Sequence, residues 1–131
     1  MQLQEILSKV AEFQKATDQP VSENPTLTWM FNDALLRYDL IQEENKEYIV
    51  ACQNRDLVEV LDACVDMLYI LAGTINTHGL GNILEEAFNR VHKNNLTKIG
   101  EDGKVLRNPS GKILKPSGYV PVDLSDLVKY N

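Results

Sequence analysis

Glu43-Glu44-Asn45-Lys46-Glu47 and Leu61-Asp62-Ala63-Cys64-Val65-Asp66-Met67-Leu68 are two acid-bearing stretches separated by the polar break Gln53-Asn54-Arg55-Asp56. Both stretches carry apolar residues at helical spacing, so a reversal at the break makes an antiparallel helix pair. That reversal sets Glu47 level with Asp62 and Glu43 level with Asp66. Carboxylates brought together in this way repel unless a cation lies among them. The second stretch is otherwise apolar, and an ionised carboxylate in apolar surroundings needs a partner. All the donors are oxygens, which suits Mg²⁺, with Mn²⁺ as a substitute, or Ca²⁺ rather than zinc. Metal held by carboxylates points to phosphate chemistry.

The rest of the chain supports a helical reading. Leu3, Ile6, Leu7, Val10 and Phe13 predict a first amphipathic helix from Leu3 to Ala16. A second helix begins near Thr26 or Thr28, carries Met30, Ala34, Leu35, Tyr38, Ile41, Tyr48 and Cys52, and ends near Asn54. Asp56 caps the third, with Glu59 three residues on as the capping-box partner. It runs to Thr77, and Gly79 stops it. Its apolar residues cover several faces, as in a helix at the centre of a bundle or at a subunit interface. Asn82 caps a fourth helix through Ile83, Leu84, Ala87, Phe88 and Val91 to about Asn94. Beyond Gly100, glycines and prolines break helix, and Val105-Leu106 with Ile113-Leu114 flank a turn that predicts a small hairpin. Asp123 to Tyr130 reads as a short helical turn. The expected fold is all-α: an antiparallel bundle of about four helices. It forms a single domain over 1–131, with a helical core at about 3–98 and a Gly/Pro-rich tail at about 99–131.

Composition narrows the function classes. The chain has 131 residues, 44% hydrophobic and 24% charged, an ordinary globular balance. The net charge is −6 with no run of Lys or Arg, which argues against nucleic acid or an anionic membrane as the main partner. No apolar segment approaches the roughly 18 residues of a membrane span. Cys52 and Cys64 sit at apolar helical positions and read as small buried hydrophobes. A cytoplasmic, reduced setting is expected. A di-iron bundle would require Glu-x-x-His pairs, but His78 and His92 are preceded three residues earlier by Ile75 and Asn89.

The pattern Glu43-Glu44-x-x-Glu47, followed by Asp62-x-x-x-Asp66-Met67-Leu68-Tyr69, resembles the all-α nucleoside triphosphate pyrophosphohydrolase superfamily. That superfamily holds the MazG-like enzymes, the phosphoribosyl-ATP pyrophosphohydrolases and the dimeric dUTPases. Val91-His92-Lys93-Asn94-Asn95-Leu96-Thr97-Lys98, Asp102-Gly103-Lys104 and Gly111-Lys112-Ile113-Leu114-Lys115-Pro116 resemble a phage and bacterial branch of it. The superfamily signature pairs an E-E-x-x-E helix with an E-x-x-D helix. With Asp66 at the aspartate position, the glutamate position is Ala63. The alternative alignment is Glu59-x-x-Asp62.

The resemblance implies Mg²⁺-dependent hydrolysis of a (d)NTP between its α and β phosphates, giving the monophosphate and pyrophosphate. It implies metal ligands among Glu43, Glu44, Glu47, Asp62 and Asp66. Glu43, Glu44 and Glu47 are the catalytic candidates, with Glu43 or Glu44 as proton acceptor. Lys93, Asn95, Lys98 and Lys112 are candidate substrate contacts, Lys115 a further one, and Tyr69 or Trp29 a stacking surface for a base. Specialists for phosphoribosyl-ATP or dUTP, and a non-catalytic metal-binding helical oligomer, are the alternatives. A homodimer or dimer of dimers is the expected assembly.

Overall fold

A computed structural model describes residues 1–27 and 31–129. These fall into two compact units, one spanning Met1–Asn82 and one beginning at Ile83. Among the described residues there are four α-helices, one 3₁₀ helix and no strand, so the all-α expectation holds. No helix among them is long and apolar enough to cross a membrane.

The first unit contains α1 (Leu3–Ala16), α2 (Phe31–Gln53) and α3 (Leu57–Thr77). α3 packs against both of the others. Thr26 precedes α2 in irregular chain, so the early start proposed there is not seen. Thr28, Trp29 and Met30 lie outside the described residues. Asp56 caps α3 as its type predicts, its side chain accepting from the Glu59 amide at 3.1 Å. The box is not reciprocal, however: the Asp56 amide donates instead to the Ala51 carbonyl at 3.0 Å. Glu59 is therefore not needed as a capping-box partner, and its carboxylate is released from that role. Arg55 turns the chain with φ of 53°, a left-handed geometry that closes the reversal in a few residues.

Small residues are buried where the helices of this unit pack. Ala51, Ala63 and Ala72 are buried, as is Gly73, and such residues let two helix backbones approach closely. Arg37 lies directly over Gly73: a Cβ there would meet its Nη2 at 3.0 Å. The guanidinium donates to the Gln19 side chain at 2.8 Å, the Thr74 hydroxyl at 3.2 Å and the Ile70 carbonyl at 3.3 Å. α1 joins through Gln14, which is 1% exposed. Its amide donates to the Gly73 carbonyl at 2.9 Å and the Thr77 hydroxyl at 3.1 Å, and its oxygen accepts from Asn76 at 3.1 Å. Asn76 also donates to the Leu7 carbonyl at 2.9 Å, and Thr77 to Pro20 at 2.8 Å. The middle of this unit is thus a connected polar network in which each member is satisfied.

Large apolar side chains lie outside that network. Among the described residues the buried apolar ones are Leu7, Val10, Ala51, Ala63 and Ala72. Leu57, Leu61, Val65, Leu68 and Leu71 run exposed along α3, each at 50% or more. Cys52 and Cys64 are also exposed and unbridged, which corrects their reading as buried hydrophobes.

In the second unit, α4 (Leu84–Leu96) has Ile83 at its N-cap with no side-chain cap. Asn82 does not cap it, because residues 81–83 form a turn that places Ile83 last before the helix. The predicted hairpin reduces to one antiparallel bridge, Arg107 with Ile113, flanked by the Leu114 amide on the Leu106 carbonyl at 2.7 Å. Asn108 holds its turn by accepting from the Ser110 amide and hydroxyl and the Lys112 amide. Arg90 ties α4 to the 3₁₀ turn Ser125–Val128, forking onto both Asp126 oxygens at 2.6 and 3.0 Å and onto Glu86 at 2.9 Å.

Gly79 ends α3 with φ of 67°, and a Cβ there would lie 1.9 Å from the Asn24 carbonyl oxygen. We expect Gly79→Ala to lower unfolding free energy by about 2 kcal/mol or more, from the left-handed strain and the clash together. Asp56→Ala should cost about 1 kcal/mol through loss of the cap. Urea titrations monitored by circular dichroism measure both; an effect at Gly79 no larger than at Asp56 would contradict the close approach to Asn24.

Candidate active site

The α2–α3 register decides which acids meet. Arg37 sits at Gly73, and one further stretch along the pair Glu44 reaches Asp66. Glu44 therefore occupies the level at which the sequence pairing set Glu43. Ligand oxygens of Glu44, Glu47 and Asp66 all lie within 4.8 Å of one another. Glu47 is one helical turn beyond Glu44 on α2, and Asp66 comes across from α3. Glu43 and Asp62 are exposed and stand outside this group. Ala63, which takes the glutamate position when Asp66 takes the aspartate position, is 2% exposed at the helix contact.

Beside the cluster is a cavity of about 470 Å³ lined by Glu43, Lys46, Glu47, Val50, Ala51, Asn54, Asp56 and Glu59. Glu47 belongs to both features. Glu43 and Glu59 thus face the same space from opposite helices, and Lys46 is the cation on its wall. Sequence reasoning left Glu59 to the helix cap. Its spacing of one turn before Ala63, on the face that meets α2, was the available signal.

Electrostatics mark Glu44 as the strained member. Its Oε2 is buried with no hydrogen-bond partner among the described residues. Burial, the hydrogen bond it shares with Glu47, and the charges of Glu47, Asp66 and Glu43 raise its pKa from 4.5 to about 7. Glu44 is thus the carboxyl of this group most readily protonated. An orphaned buried oxygen and three converging carboxylates fit a hard divalent cation. Such ions take oxygen ligands at about 2.0–2.6 Å, which places opposite ligands at spacings near those seen here.

Of the candidate substrate contacts, Lys93 and Asn95 are exposed on α4, Lys98 is half-buried just after it, and Lys112 is exposed in the bridge turn. Tyr69 packs edge-on against Phe13, ring centroids 5.8 Å apart. Trp29 lies outside the described residues. His78 ends α3, its Nδ1 3.2 Å from the Thr26 carbonyl, and His92 is exposed. Neither joins the carboxylates.

A family model for phosphoribosyl-ATP pyrophosphohydrolase matches residues 10–95, which include α2, α3 and all three converging carboxylates. The chain belongs to the phosphoribosyl-ATP pyrophosphohydrolase family. This family is part of the MazG-like all-α superfamily of nucleoside triphosphate pyrophosphohydrolases, whose members are generally metal-dependent and act on nucleotide-like substrates. Over 77 residues, 57% of this chain, it is 39% identical to an uncharacterized protein of Acanthamoeba polyphaga mimivirus, and that match spans 28% of the mimivirus protein.

The raised Glu44 pKa has a definite sign in stability. Between 4.5 and about 7 the folded protein holds a proton that the unfolded chain releases, so metal-free stability falls as pH rises through that window. Thermal melts in EDTA should show this fall, and Glu44→Gln should flatten it. Added Mg²⁺ should raise the melting temperature more at pH 8 than at pH 5, since the ion competes with the proton. A Mg²⁺ effect equal at both pH values would exclude Glu44 from the metal site.

Proposed function

We infer that this chain is a Mg²⁺-dependent nucleoside triphosphate pyrophosphohydrolase that cleaves the α–β phosphoanhydride of a (d)NTP, releasing the monophosphate and pyrophosphate. The observation that carries the reading is the convergence of Glu44, Glu47 and Asp66 within 4.8 Å inside a segment matched by the family model. In this reading Glu44, Glu47 and Asp66 hold the metal. Mg²⁺, with Mn²⁺ as substitute, would supply charge neutralisation of the triphosphate and electrophilic polarisation of the reacting phosphate.

The chain's own residues do the rest. Glu43, exposed on the cavity wall, accepts the proton of the attacking water, a role that needs a carboxylate not committed to the metal. Glu59, on the opposite wall, completes the acidic lining where Ala63 leaves no carboxylate. Asp62 stays outside the ligand set. Lys93, Asn95, Lys98 and Lys112 are the substrate contacts of this reading. Phosphoribosyl-ATP is the second candidate substrate, favoured by the family whose model matches. It carries the same triphosphate and adds a phosphoribosyl group.

The exposed apolar row on α3, from Leu57 to Leu71, supports a homodimer or dimer of dimers built on that face. Multi-angle light scattering should give an even-numbered oligomer, and Leu68→Glu should shift it toward monomer. A monomeric wild type at high concentration would refute this assembly.

Pyrophosphate release across the standard (d)NTPs, dUTP and phosphoribosyl-ATP tests the activity. Turnover of at least one substrate with Mg²⁺ is expected. Glu47→Gln and Asp66→Asn should each lower it about 100-fold or more by disturbing metal binding, with Asp62→Asn close to wild type. No turnover of any of these would sink the proposal, and a loss at Asp62 matching that at Asp66 would reassign the ligands.

A further inference from the structure

We propose that the groove between α1 and the end of α3 binds a primary alkylammonium ion, its ammonium donating to the Asn76 side-chain oxygen and its aliphatic stem lying along α1. The site belongs wholly to the first unit and uses none of the converging carboxylates, so it is independent of the activity proposed above.

The groove is a cavity of about 400 Å³. α1 lines it with Gln4, Leu7, Ser8 and Ala11, the segment before α2 with Glu23, and α3 with Asn76. Asn76 is the decisive member because its amide cannot turn over. A backbone carbonyl only accepts, so the atom 2.9 Å from the Leu7 carbonyl oxygen is Nδ2. The other hydrogen of Nδ2 goes to Gln14 Oε1 at 3.1 Å. Gln14 is fixed in turn, since its own nitrogen donates to the Gly73 carbonyl at 2.9 Å. What Asn76 has left is Oδ1, an acceptor with no donor among the described residues. Asn76 is 8% exposed, yet Oδ1 is not sealed: the sealed, unpartnered side-chain atom among the described residues is Glu44 Oε2. Oδ1 therefore opens on the groove that Asn76 lines.

The rest of the lining asks for the same kind of ligand. Gln4 Nε2 donates to the Gly81 carbonyl at 3.0 Å, and by the same logic its Oε1 is left as an acceptor. Glu23 adds an exposed carboxylate. Among the described residues no Lys, Arg or His lines the groove. Fixed acceptors and a negative charge without a cation disfavour phosphates and carboxylates and favour a cationic donor. A primary ammonium is such a group, with three N–H donors and no acceptor. Leu7 and Ala11 supply an apolar stretch of wall, against which a methylene stem packs as lysine stems do on protein surfaces. A metal ion would leave that wall uncovered. Free aliphatic amines and lysine side chains carry this group alike.

Titrations of the full chain with 1-aminobutane, and with lysine blocked at both backbone ends, test the site when followed by ¹H–¹⁵N correlation spectra. The Asn76 and Gln4 side-chain amide resonances should move and saturate, and the probe that binds more tightly identifies the source. 1-Butanol and butyrate, which share the stem, should leave those resonances in place. Ser8→Lys, at an exposed α1 position, sets an ammonium group of the protein's own at the groove and should weaken binding about tenfold or more. Ser8→Ala, which keeps the groove open, should bind as wild type. Glu23→Gln should weaken binding about threefold, and Glu85→Gln, an exposed acid of the second unit, should not change it. The proposal is overturned if neither amine moves the Asn76 and Gln4 resonances, or if 1-butanol moves them equally. An equal loss in Ser8→Ala, or an amine effect centred on Glu44 and Glu47 that persists in Ser8→Lys, overturns it as well.

Discussion

Arg37 resting on Gly73 sets the register of α2 against α3, and the carboxylate cluster follows from that register. The guanidinium occupies the space a side chain at position 73 would fill, and its donors are divided between α3 and Gln19. Sliding the pair by one residue would move Arg37 off the glycine and part Glu44 from Asp66. Gln14 locks the same point from α1 through the Gly73 carbonyl and Thr77. A polar network at the centre of a small helical unit gives less stabilisation than an apolar core of the same size, but its directional bonds accept one arrangement.

That arrangement gathers negative charge at a cost. Glu44 carries a raised pKa and an unpartnered oxygen, both signs of a group held where water alone does not satisfy it. Perturbed carboxylates of this kind gather at sites with work to do. The large apolar residues turned outward on α3 are a second departure from what a self-sufficient monomer would choose. Both departures lie on the same helix pair.

Much of this was legible in the sequence. The bounds of α1, the Asp56 cap and the Gly79 stop were read from local rules, because short-range spacing and backbone preference decide them. The two acid stretches were evident for the same reason. The register was not, because it depends on Arg37 meeting Gly73, a contact between residues that periodicity does not connect. That single displacement exchanges Glu43 for Glu44 and leaves Asp62 in solvent. Glu59 was assigned to a capping box, and the Ala51 carbonyl took its place there. The cysteines were misjudged because apolar spacing does not tell a face turned to a neighbouring helix from one turned outward. Arg90 and its fork onto Asp126 escaped notice, since no spacing rule links residues that far apart.

The short reversal at Gln53–Leu57 has a consequence for how the protein forms. Everything that defines the carboxylate cluster lies on two helices joined by Asn54, Arg55 and Asp56. Closing so small a loop is fast, and contacts between near neighbours in sequence form early in folding. The helix pair therefore meets its own electrostatic repulsion early in folding. During synthesis, the carboxylates are brought face to face while α4 and the basic residues beyond it are still emerging. A divalent ion captured at that moment would act on the folding path as well as in the finished protein.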